Sequence, residues 1–290
     1  MTALLALLLA VSILVGCSGG MVTDVKNTAA PPELMLTVEE PQPAEPVYVV
    51  ELEVLEDTIL AEDGTELLHY RFETPRMDAR SPDASPLAES EECQAILTAF
   101  NEQFEDWVDS EGLAELVKAA EEDLAWRKGE DLAWYGPYEL ELDCDIYRTE
   151  DMVSISGVYY RNTGGAHPST YPLAWNFDLT TGAFFRADEL ASDSQDFREE
   201  VRDAILWQAN LPLEDGTVPA EGYWEGYEEI VENWHDYTVT FDDLGMTVSF
   251  APYELACYAA GAQTFRMVYE DLLPHLSDHA KTILDLEYEE

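Results

Sequence analysis

Basic residues are scarce in this chain. Its 290 residues hold 14 Lys and Arg against 61 Asp and Glu, a formal net charge of -47. A polyanion of this kind is repelled by nucleic acid and by anionic membrane surfaces, so both drop out as partners. Cationic partners are left: a basic protein, a basic peptide or divalent metal ions. The same charge would serve equally to solvate a surface, or would reflect a saline habitat or a genome-wide bias. Disorder is not implied, because 47% of the residues are hydrophobic and 11% aromatic, ample material for a core.

The familiar motifs of catalysis and metal binding are missing as well. No Gly-x-Ser-x-Gly occurs after residue 20, and there is no Cys-x-x-Cys, His-Glu-x-x-His or Asp-x-Asp-x-Asp-Gly string. Carboxylates are so abundant that a pair of them carries no information about glycoside cleavage. His275 and His279 stand four apart, a spacing that suits zinc on a helix, but no Glu supplies the protease base. They read better as a surface helix end, and Asp242-Asp243 and Asp143 with Asp145 as solvated turns. No catalytic residue, metal or cofactor is expected.

Cysteine is sparse too. The first of the four, Cys17, ends the apolar run MTALLALLLAVSILVG, which has signal-peptide length and is too short for a comfortable membrane span. Leu14-Val15-Gly16-Cys17 resembles the bacterial lipoprotein box, in which small residues precede a cysteine that is acylated. The run departs from that pattern in having no Lys or Arg at its start. The expectation is a lipidated Cys17 at the extracytoplasmic face of the cell membrane. Cys93, Cys144 and Cys257 remain, an odd number that cannot all pair. Cys93 shares a helical face with Ile96, Leu97 and Phe100, so it reads as a buried apolar residue; a Cys144–Cys257 bridge is left open.

Along the chain, 1–16 read as signal peptide and 17–46 as a Pro- and Glu-rich linker. Folding is expected from Val47. Two β-prone runs flank Asp63-Gly64, a tight-turn pair. Two amphipathic helices follow, one carrying Cys93, Ile96, Phe100, Phe104 and Trp107, the other Leu113, Leu116, Val117, Ala120 and Leu124. The Asp-Ser-Glu-Gly between them breaks the first and caps the second. Alternating runs then appear at 138–148, 152–162 and 171–179. A helix is expected near 196–208, a hairpin with Leu244-Gly245 at its tip, a last strand and a C-terminal helix near 277–286. Strand runs joined by hairpins and interrupted by helices indicate an α+β fold. Its antiparallel sheets carry flanking helices, in two subdomains at 47–135 and 136–290.

The order strand, NTGGAHP, strand ending NFDLTTG, helix, then YTVTFDDLGMTVSFAPYELACYAAGAQTFRMVYEDL resembles the extracytoplasmic domain of unknown function 3298. Residues 48 to about 135 look like the smaller domain, number 4163, that usually precedes it. The pair is found in lysozyme-sensing anti-sigma factors, beside deacetylases acting on peptidoglycan, and in plain lipoproteins. The resemblance implies an envelope module; the sigma-binding segment and the metal-dependent catalytic domain of those relatives have no counterpart here.

Two readings compete for Gly164-Gly165-Ala166-His167-Pro168. One is a ligand loop, in which glycines let a ligand approach and His167 donates a hydrogen bond or ligates metal. The other is a strand-to-strand turn, in which His167 bonds a carbonyl and Pro168 enters the next strand extended. Trp224, in Glu-Gly-Tyr-Trp-Glu-Gly, is the tryptophan expected at a contact surface. The function expected is binding of a basic protein such as lysozyme, or of cell-wall glycan. The alternative is a peptidoglycan-processing enzyme or its accessory.

Overall fold

The computed structural model describes residues 46–81, 90–134 and 136–286. Cys17 and the expected signal and linker lie outside the described residues. The first two strands, β1 (Val47–Leu60) and β2 (Glu66–Arg80), form a long antiparallel hairpin. The hairpin turns at Asp-Gly as expected, but only Gly64 takes positive φ, at 83°; its N–H bonds Ala61 O at 2.9 Å and the Asp63 side chain accepts from Thr65 N, so the loop is longer than a two-residue turn.

Two helices follow, α1 (Glu91–Ser110) and α2 (Leu113–Gly129). Ser90 caps α1 by accepting from Cys93 N. Cys93, Ile96, Phe100 and Phe104 are buried on one face of α1, and Leu116, Ala120 and Leu124 on one face of α2. The cap between them differs from expectation. No side chain of Asp-Ser-Glu-Gly bonds the start of α2; instead Gly112 turns the chain at φ 61°.

The helical pair is a crossover. It returns the chain to β3 (Tyr138–Arg148), which pairs with β2 in parallel. Among the described residues this is the one parallel strand pairing in an otherwise antiparallel set. β4 (Met152–Asn162), β5 (Ser169–Asp178) and the two-residue β6 (Ala183–Phe184) complete a six-stranded sheet in sequence order. The sheet is continuous across the boundary drawn at 135. Its core holds Leu68, Phe72, Phe100, Leu140, Ile155 and Phe177. Gly182 closes the turn before β6 at φ 68°, where a Cβ would lie 2.9 Å from Ile96 Cγ1.

A second core takes over near residue 180. It is built on α3 (Ser194–Ala209), α4 (Tyr227–Val231) and a three-stranded antiparallel sheet. That sheet comprises β7 (Thr238–Phe241), β8 (Gly245–Phe250) and β9 (Gln263–Val268). The chain ends in α5 (Tyr269–Leu272) and α6 (Asp278–Ile283). Phe197, Val201 and Ile205 face inward from α3, with Trp234 and Phe250 fully buried beside them.

A buried polar chain joins the two sheets. Ser154 Oγ donates to Asn176 Oδ1 at 2.8 Å and accepts from Phe241 N at 2.9 Å; Asn176 Nδ2 donates to Val239 O at 2.8 Å. Each side-chain polar atom in that chain has a partner, which lowers the cost of burial and makes the arrangement specific. It sets β7, and the loops that follow it, against β5. No helix among the described residues is long and apolar enough to cross a membrane.

Candidate functional site

The Gly164–Pro168 loop connects β4 to β5. Gly164 takes φ 82° and its N–H bonds Asn162 Oδ1, as a tight turn requires; Gly165 has no such conformational demand. His167 does more than close the turn. Its Nδ1 donates to Pro168 O at 3.0 Å, and a carbonyl can only accept, so the proton sits on Nδ1. Nε2 then accepts from the Tyr253 hydroxyl at 3.0 Å. The ring also lies flat on Tyr258, with centroids 3.8 Å apart and planes at 16°.

Trp224 reaches the same place from the other side. Its main chain pairs with Leu255 O at 2.8 Å, and its indole N–H donates to Tyr253 O at 3.2 Å. Tyr253 is therefore held at both ends, by Trp224 on its carbonyl and by His167 on its hydroxyl. It sits at φ 76°, a conformation that L-residues with large side chains avoid. Trp224 is 43% and Tyr253 54% exposed, so the cluster faces solvent. His167 and Trp224 are brought together; Gly164 shapes the loop behind them. Tyr253 and Tyr258 were not singled out as site residues, although the segment YELACYAAG that contains them carried the family resemblance.

The other candidates are occupied by structural partners. His279 Nε2 bonds the buried Asp178 at 2.7 Å, and His275 Nδ1 bonds Asp196 at 2.9 Å, so the two imidazoles do not converge. Burial pushes the Asp178 carboxyl up. Hydrogen bonds from Thr180, His279 and Thr181 outweigh it and hold the group below its ordinary value. Asp242 Oδ1 accepts from Leu244 N and Gly245 N as a turn cap; Asp143 and Asp145, expected in a turn, lie instead within β3, where Asp143 pairs with Arg71. Thr58, His69 and Glu56 approach one another on an exposed face of the first hairpin, where Thr58 and His69 are simple cross-strand neighbours. Among the described residues no group of three or more His, Cys, Asp or Glu side chains could hold a metal. Cys93 and Cys144 are buried and Cys257 is exposed, all three as free thiols.

A groove of about 610 Å³ lies between α1, β5 and the segments around His235 and Glu254. Trp107, Trp175, Tyr171 and Tyr237 wall it. Glu111 accepts from the Tyr159 hydroxyl and lies 3.8 Å from Arg161. Burial, then that hydrogen bond, pushes the Tyr159 hydroxyl far above its ordinary range. His235 Nδ1 is buried without a partner; burial, then the charge of Arg198, holds the imidazole below its usual value.

Comparison with known families places these residues. Residues 77–170 match the family described as Deacetylase PdaC, and residues 199–270 match the family described as Protein of unknown function (DUF3298). The chain joins a PdaC-like region to a DUF3298-like region. A crystal structure of a DUF3298 family member from Bacteroides fragilis superposes with a TM-score of 0.57 at 13% identity, covering 83% of this chain and 99% of that one, which shows the shared fold. A DUF3298 family protein from Pseudomonas aeruginosa gives 0.45 at 16% identity, covering 80% and 95%. No curated protein matches.

The expected resemblance holds for the DUF3298-like and deacetylase-like regions; the NTGGAHP loop, expected in the first of these, falls within the PdaC match instead. The aromatic cluster straddles the two matches. His167 comes from the PdaC-like region, and Trp224, Tyr253 and Tyr258 from the DUF3298-like region. The cluster is complete only when both regions are folded together.

Proposed function

We propose that this chain is an extracytoplasmic binding module for cell-wall glycan, anchored through a lipidated Cys17. The observation that carries the reading is the solvent-facing cluster of His167, Tyr258, Tyr253 and Trp224. Aromatic rings combine a flat apolar face with polar edges, which suits the C–H face and hydroxyls of a sugar ring. Hydrogen bonds hold His167, Tyr253 and Trp224 in advance and Tyr258 stacks on the His167 ring, so little ordering is required on binding. A strained backbone at Tyr253 is the kind of feature that persists where function needs it. The PdaC and DUF3298 matches agree with an envelope setting.

The test is retention of the full chain, in detergent, on insoluble cell wall. Trp224→Ala and Tyr258→Ala should each reduce retention several-fold while the protein stays folded. Undiminished retention in both removes the cluster from the reading. A second reading, capture of a basic protein such as lysozyme, draws on the excess of 61 acidic over 14 basic residues. Its binding would weaken steeply with salt, and absence of binding at low salt would dismiss it. The PdaC match favours a third role, accessory to wall processing. Deacetylation or muropeptide release by the purified chain, lost in His167→Ala, would replace binding by catalysis.

A further inference from the structure

We propose that the groove between α1, β5 and the Glu254 segment is a second binding site, which takes a cationic side chain of an extended basic peptide. The case begins with Glu254. This half-buried carboxylate lines the groove and accepts from Ala251 N. Among the described residues no Lys, Arg or His forms an ion pair with it. Burial pushes its carboxyl up, and the Ala251 amide offsets this only in part. The other carboxylates of the groove are engaged: Glu111 with Tyr159 and Arg161, and Asp236 with Arg186 at 2.9 Å. Glu254 is thus a partly desolvated negative charge with no counter-charge, a costly state that a ligand cation relieves.

The walls select the shape of that cation. Trp107, Trp175, Tyr171 and Tyr237 line the groove, and aromatic rings attract a cation through their quadrupoles and cover the methylenes of a long side chain. An ammonium also brings three donors for Glu254. An anionic ligand meets like charge. A neutral sugar leaves Glu254 uncompensated. A volume of about 610 Å³ admits a few residues of peptide, not a folded partner. This site is separate from the wall-binding cluster, and its ligand differs in class.

The experiment titrates the full chain, in detergent, with tri-lysine and follows intrinsic tryptophan fluorescence, since Trp107 and Trp175 line the groove. The salt is about 0.5 M, where charges are screened beyond roughly 4 Å. Capture by net charge alone vanishes under that condition, so failure of the lysozyme reading and failure of this one are distinguishable. A saturable signal is expected, weakened at least tenfold in Glu254→Gln, which keeps the Ala251 bond, and several-fold in Tyr171→Ala. A surface control, Glu122→Gln, should match the wild type, and tri-lysine acetylated on its side chains should not bind. The proposal is overturned if tri-lysine gives no saturable signal, if Glu254→Gln binds it as tightly as the wild type, or if a neutral N-acetylglucosamine trimer binds more tightly.

Discussion

Tyr253 offers the sharpest check on the cluster. Its φ of 76° places a bulky side chain in left-handed backbone space. For a residue with a Cβ that conformation costs roughly 1–2 kcal/mol. Replacing it with Ala or with Gly removes the same ring and the same hydroxyl bond to His167. The two variants differ only in the Cβ and in the freedom of the unfolded chain. Glycine escapes the left-handed cost but gains unfolded-state freedom equivalent to about 0.4–1 kcal/mol. The balance leaves Tyr253→Gly more stable than Tyr253→Ala by about 0.8 kcal/mol, the reverse of the usual order. In a domain of this size that is about 2–3 °C in melting temperature, measurable by circular dichroism or by the urea midpoint. Both variants should lose wall retention equally, because neither has the ring. If the alanine variant is as stable as the glycine variant, the backbone is not strained there and the account of Tyr253 fails.

Other outcomes follow from single contacts. In Gly245→Ala the new Cβ would lie 2.1 Å from Met267 O, so β8 and β9 must part; a loss of about 3 kcal/mol is expected in urea unfolding. Asp178 has a depressed carboxyl pKa, so its contribution to stability is complete above the ordinary value of 3.8 and is lost as pH falls through the lower folded value. Asp178→Asn should therefore flatten the acid limb of a stability profile measured below pH 4, and an unchanged limb would contradict this. A thiol reagent should label Cys257 in the native protein and Cys93 and Cys144 only after unfolding, since burial, then nearby Glu73, pushes the Cys144 thiol up to about 12. A fatty-acid probe should label the protein in cells and fail to label Cys17→Ala.

Much of the fold was legible because it is written in neighbours. The apolar spacing of Cys93, Ile96, Phe100 and Phe104 defines the buried face of α1, and the three- and four-residue steps need no distant partner. Asp63-Gly64 and Leu244-Gly245 mark their hairpins for the same local reason. The parallel pairing of β2 with β3 was not legible. Nothing in the apolar pattern of either strand names its neighbour, and only the path of α1 and α2 over the sheet brings them together side by side. The division of the two cores near 180 also escaped, because an apolar residue does not state which core it joins.

The site shows the same divide. Sequence alone determined the anionic character of the chain, the turn at Gly164, and the presence of His167 and Trp224 as candidates. Tertiary structure decided that they meet. His167 lies 86 residues from Tyr253, and Trp224 lies 29 from it. The buried Ser154–Asn176 chain and the Thr238 bond to Pro172 O join the second sheet to the first in the same region. Local chemistry fixes what each short segment can do, because its forces act over a few residues. Which segments share a surface is settled by long-range packing, where many weak contacts must be satisfied at once.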